Sequence, residues 1–127
     1  MWNPKDQQRE RNERLRGWIV YFLYKARPKP LELVTLMRLL DSRNHPCSRR
    51  RLAEEIDYLR SLRLIRIFPS MAEEELDEVK QTKWVQRFAD SNSDEDVGDS
   101  LCARITRAGI NFQDGTTHSI TGIMRVE

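Results

Sequence analysis

Apolar residues recur along the first third of the chain at helical spacing. Leu15, Trp18, Ile19, Phe22 and Leu23 fall at i, i+3, i+4, i+7 and i+8, a single stripe that predicts a helix from about Gln8 to Ala26. The run Arg27-Pro28-Lys29-Pro30 stops it, because proline disfavours helix at the residue before it. Pro30 is then expected to open a second helix, where its missing N–H is no loss. Leu33, Leu36, Met37 and Leu40 give that helix its inner face, and Asn44-His45-Pro46 ends it. A third helix is expected from Ser48, as N-cap, to about Leu62, with Leu52, Ile56 and Leu59 inward. No capping box forms, since Arg51 stands where Glu or Gln would reach back.

The period then changes. Leu64 to Phe68 reads as a strand closed by Pro69. Leu101, Ala103 and Ile105 alternate with Cys102 and Arg104, the period-two pattern of a second strand. Thr106 is expected to cap a short helix from Arg107 to Phe112. Residues 116–122 read as loop, and Ile123 and Val126 as a last short strand. Between the two strands lies an insertion too long for a simple turn. Its Ala72–Ala89 portion has a helical composition, with Leu76, Val79, Trp84 and Phe88 facing inward, and Asp90–Ser100 reads as an acidic loop.

Three helices followed by a β-hairpin give an α+β chain that resembles winged helix-turn-helix proteins over most of its length. The local marks are Leu59-Arg60-Ser61-Leu62-Arg63-Leu64-Ile65 and Ile105-Thr106-Arg107-Ala108-Gly109, which is similar to the LTxxG exit from the second wing strand. The expected architecture is one domain over residues 1–127. Residues 8–69 supply the helices and first wing strand, 70–100 an acidic insertion in the wing, and 101–127 the second wing strand and C-terminal segment. The family usually places glycine between the paired leucines to end the third helix in a left-handed turn; Arg63 stands there, so a different ending is expected. Arg107 to Arg125, with Gly109, Gly115 and Gly122-Ile123-Met124-Arg125, also resembles small winged-helix proteins of Mu-like phages and prophages. That resemblance implies a bacterial cytoplasm and nucleic-acid binding, and some of these proteins are labelled regulators by analogy. Winged-helix regulators often pair through helix one or terminal extensions, which makes Tyr21 and Trp2 the residues expected to help a homodimer form.

Size and composition narrow the classes. A chain of 127 residues, 39% hydrophobic and 33% charged, has room for one core without metal or disulfide staples. The longest apolar run, Trp18–Tyr24, is too short for a bilayer, and the N-terminus has no apolar signal region. Two cysteines, Cys47 and Cys102, fit a reducing compartment.

Net charge is only +2, yet its distribution is uneven. Residues 1–70 carry 16 Lys and Arg against 8 Asp and Glu, whereas residues 71–100 carry 3 against 10. A basic body suits a polyanion, and the insertion opposes one. The leading contact candidates are Ser48, Arg49, Arg50 and Arg51, since the first turn of a third helix enters the major groove in this family. Arginine pairs with phosphate or with guanine O6 and N7. Lys25 and Lys29, with Arg27, are the flanking candidates, and Lys80, Lys83 and Arg87 the wing's.

The same helix carries a competing pattern. Arg50, Glu54, Asp57 and Ser61 lie opposite its core, and Arg50/Glu54, Arg51/Glu55 and Asp57/Arg60 are spaced for ion pairs. That outward face fits a solvated surface, or a module that docks a phage or host protein and does not touch DNA. Fold and charge together favour double-stranded DNA as the partner, with protein docking as the alternative.

Enzymatic chemistry finds little support. There is no phosphate-binding glycine loop and no nucleophile elbow. The set His45, Cys47, Cys102 and His118 matches no zinc spacing. The run from Asp90 departs from a calcium loop at Glu95 and Leu101. No cofactor, metal or membrane is expected.

Overall fold

The structure is a computed structural model and describes residues 4–69, 78–90, 101–115 and 120–126. It is α+β: five helices and one three-stranded antiparallel sheet among the described residues. The order is α1 (Pro4–Ala26), β1 (Leu31–Glu32), α2 (Leu33–Ser42), α3 (Arg49–Ser61), β2 (Ile65–Pro69), α4 (Glu78–Asp90), β3 (Leu101–Ile105) and α5 (Arg107–Asp114). The strands lie in the order β1-β3-β2. This arrangement is compatible with a winged-helix-like fold.

The core forms where the periodicities converge. Leu15, Ile19, Phe22 and Leu23 of α1 are buried, as are Leu33, Leu36 and Leu40 of α2 and Leu52, Ile56 and Leu59 of α3. The inner faces of β2 and β3, with Ile65, Ile67, Ala103 and Ile105, close the core from the other side. Trp18 and Met37, expected inward, are only half-buried at its rim. Trp18 packs there on Phe22 and, edge-on, on Tyr21.

Pro30 does not open α2. Residues 31 and 32 extend instead as β1, pairing Leu31 with Ala103 and Glu32 with Cys102, and Glu32 becomes the N-cap residue of α2. A two-residue strand leaves no alternation to read, so its only cause is the free edge of β3. The segment around Ile123 and Val126 is not a strand; Ile123 is buried, and the Met124 N–H donates to the Glu13 carbonyl across α1. Gly17 permits that crossing, because a Cβ there would collide with the Met124 carbonyl.

Helix α3 begins and ends by defined devices. The Ser48 hydroxyl accepts from the Arg51 N–H at 3.1 Å. At the other end the Leu64 N–H donates to the Leu59 carbonyl and the Arg63 N–H to the Arg60 carbonyl, a Schellman motif. Arg63 occupies its left-handed position with φ 62°. The turn expected to change with the loss of glycine is therefore retained, with arginine in a conformation that suits glycine better.

The insertion contributes α4, from Glu78 to Asp90; residues 70–77 and 91–100 lie outside the described ones. Its inward side is Gln81, Val85 and Phe88, with Trp84 half-buried. Val79, expected inward, is 67% exposed. Helix α4 packs on α3 and touches β3. No helix of the described residues is long and apolar enough to cross a membrane.

Two substitutions test these joints. Arg63→Gly should raise unfolding free energy by about 1 kcal/mol, because glycine adopts the left-handed turn without the Cβ penalty. Gly17→Ala should lower it by more than about 2 kcal/mol, since the tail must move off α1. Urea denaturation of each variant against wild type checks both.

Candidate nucleic-acid interface

The first turn of α3 presents three arginines with three different fates. Arg51 turns inward. It lies 3.3 Å from the Glu55 carboxylate, 3.9 Å from that of Glu54, and hydrogen-bonds Asn12 of α1. Arg49 is half-buried, its guanidinium 4.8 Å over the Phe88 ring of α4. Arg50 alone points outward, 69% exposed, with Asp90 at 3.5 Å. The outward stripe Arg50, Glu54, Asp57 and Ser61 is exposed as its spacing requires, although Arg50 reaches Asp90 of the insertion and not Glu54. Arg60 pairs with Asp57.

Arg51 is held by a buried ionic group. Glu55 is 3% exposed in the middle of α3, and its carboxylate also pairs with Arg16 of α1. Arg16 in turn donates to the Gly122 carbonyl at 2.9 Å and lies 4.0 Å over the Tyr58 ring. The Tyr58 hydroxyl donates to the Thr121 carbonyl. One carboxylate thus joins α1, α3 and the C-terminal segment. A buried charge of this kind is tolerable only when paired and hydrogen-bonded on several sides. The i,i+4 spacing of Arg51 and Glu55 gave one of these contacts; Arg16, Asn12 and Gly122 are distant in sequence and left no signal there.

The Ser48 end of α3 opens into a cleft of about 950 Å3 between α1 and the α2–α3 turn. Arg11, Arg14, Asn12, His45, Cys47 and Arg51 are among its lining residues. Burial, and then the nearby Arg14, lower the pKa of His45. Burial pushes the Cys47 and Cys102 thiols up to about 11, so neither offers a thiolate near neutral pH. Among the described residues no three His, Cys, Asp or Glu side chains come together as metal ligands. His118 lies outside the described residues.

The remaining sequence candidates fall into two places. Lys80, Lys83 and Arg87 form one exposed stripe on α4, turned away from its buried side. Arg87 is three residues from Asp90, the partner of Arg50, so the Arg87 end of this stripe is the one towards the exposed arginine of α3, and Lys80 lies about 15 Å from Asp90 along α4. Lys25 and Lys29 are also exposed but flank the far end of α1. Asn12 is the α1 residue beside Arg51, and Lys25 lies about 20 Å further along the helix axis. The structure does not bring Lys25 and Lys29 to the arginine tip. The acids that make the insertion anionic lie mostly outside its helix: α4 carries Glu78 and Asp90 against Lys80, Lys83 and Arg87.

No protein-family model, curated protein or solved structure matches this chain.

Glu55→Ala should destabilise the protein by about 3–5 kcal/mol, because it strands Arg16 and Arg51 without their carboxylate. Arg50→Ala, at a solvent-exposed pair, should change stability by less than about 0.5 kcal/mol. Thermal or urea unfolding would contradict this assignment if the two variants proved alike.

Proposed function

We propose that this is a non-enzymatic, winged-helix-like protein that binds double-stranded DNA, a regulator of the phage or prophage kind acting in a bacterial cytoplasm. The observation that carries the reading is the docking of α4. Its buried side, Gln81, Val85 and Phe88, lies inward, Lys80, Lys83 and Arg87 are left outward, and its Asp90 end meets the exposed Arg50. The contact surface is then a combination of α3 and the insertion helix, not the arginine triplet alone. Arg51 serves the fold through Glu55, and Arg49 serves the α3–α4 contact through Phe88. Cations of this type contact phosphates, and under this reading Arg50, the exposed member of the triplet, is the one that would reach a base edge.

One observation favours the alternative, a winged-helix module that docks a protein. Glu54 and Asp57 are exposed on α3 and would repel phosphates. Under that reading the α3 surface captures a phage or host protein, and duplex DNA binds no better than to any mildly basic chain.

The variant Arg50→Ala/Lys83→Ala/Arg87→Ala separates the two. A gel-shift titration against random-sequence duplex should show weaker binding. The slope of log K against log salt should fall by about 3, near 0.9 per phosphate contact. Unchanged affinity and slope, in a variant that unfolds like wild type, would rule out this surface.

A further inference from the structure

Arg50 passes over the carboxylate nearest to it in sequence. Glu54 stands four residues further along α3, the spacing at which helical ion pairs ordinarily form. Arg50 instead donates from Nη2 to a carboxylate oxygen of Asp90 at 3.5 Å, across the α3–α4 contact. Asp90 is itself held. The Gln86 side-chain amide, one turn earlier on α4, donates to both of its carboxylate oxygens at 3.1 Å. Gln86, Asp90 and Arg50 thus form a relay of exposed side chains from the insertion helix to the first turn of α3.

Stability does not account for this relay. An ion pair whose members are 69% and 55% exposed contributes little to a fold. Each charge also opposes the dipole of its own helix. Arg50 lies in the first turn of α3, the positive end, and Asp90 is the last residue of α4, the negative end. The contact between the two helices has its own fastening in buried Phe88, with the Arg49 guanidinium over its ring.

Direction is what the relay fixes. A lone arginine on a flexible stem meets any phosphate within reach. A guanidinium tied to a held carboxylate keeps its plane, and the bond to Asp90 uses one of its five N–H donors. The fork that remains matches the O6 and N7 acceptors of guanine in the major groove. The carboxylate repels phosphate, so it also penalises the unspecific alternative.

We propose that Asp90, oriented by Gln86, is a positioning residue that aims Arg50 at guanine, so that the insertion helix sets the base preference of α3. The inference rests on double-stranded DNA being the ligand, as in the reading above, and adds which base is read and what aims the residue that reads it.

The test uses the full chain. Wild type selects duplexes from a random-sequence pool, and the enriched duplex is remade with a guanine analogue that has carbon in place of N7, at each enriched guanine in turn. Wild type should enrich guanine, and one of these replacements should weaken its binding about 10-fold. Asp90→Asn keeps the side-chain shape and removes the charge. It should unfold like wild type, bind random-sequence duplex at least as tightly, and lose most of the analogue penalty. Gln86→Ala should fall between the two, and Arg50→Ala should show no penalty at all. Asp90→Asn and Gln86→Ala variants that keep the full penalty overturn the inference while DNA binding stands; that is the result of a mere joint between helices, whose loss would show in unfolding alone. A wild type that binds duplex and enriches no guanine overturns it as well. A wild type that binds no duplex at low salt overturns the reading beneath it, and the inference with it.

Discussion

A single carboxylate governs how this chain can use its basic residues. Glu55 is buried within α3, where an unpaired charge would cost several kcal/mol. Its compensation comes from Arg51 one turn earlier on the same helix and from Arg16 on α1. Arg16 extends the group to the Gly122 carbonyl, and Tyr58, under the Arg16 guanidinium, reaches the Thr121 carbonyl. The orientation of α3 relative to α1 and the path of the C-terminal segment are thus tied to one ionic contact as well as to apolar packing. Gly17 and Gly122 leave room for it: a side chain at the first would strike the tail, and at the second would press on Tyr58 and Arg16.

That constraint divides the arginine triplet. A residue that compensates a buried carboxylate is not available to a ligand without loss of stability, so Arg51 belongs to the scaffold. Arg49, over Phe88, helps fasten the insertion helix. What remains for solvent is Arg50, and its neighbour on α4 is Asp90, three residues from the exposed Arg87. The insertion that looks like an anionic obstacle in the sequence supplies, in its helical part, cations beside α3.

The helices, their inner faces and both hairpin strands were legible because their periods are sustained over several turns or residues. Leu52, Ile56 and Leu59 leave little choice for α3, and Ser48 and Thr106 mark caps that the structure contains. Three features escaped for identifiable reasons. Strand β1 is two residues long and exists only because β3 has an edge to pair with. The Arg63 turn shows that the Schellman hydrogen bonds, with Leu59 and Leu64 both buried, outweigh the Cβ penalty of a non-glycine residue. Val79, expected on the buried side of α4, is exposed because Gln81, Val85 and Phe88 set the inward face and Val79 falls away from it; Leu76 lies outside the described residues. Of the candidate site, the outward exposure of Arg50 could be read from spacing. The capture of Arg51 by Asn12, and the separation of Lys25 and Lys29 from the tip, depend on how α1 lies against α3.

If the protein meets DNA as proposed, Arg50 and the α4 cations face the duplex while Arg51 stays turned inward to Glu55. The most direct test is a side-chain and amide NMR titration of the intact protein with a short random-sequence duplex at low salt. The account predicts that the guanidinium signals of Arg50 and Arg87 and the amides around Lys83 shift, while the Arg51 and Arg16 guanidinium signals stay in place. Shifts at Arg51 and Asn12, with Arg50 and α4 unmoved, would contradict it.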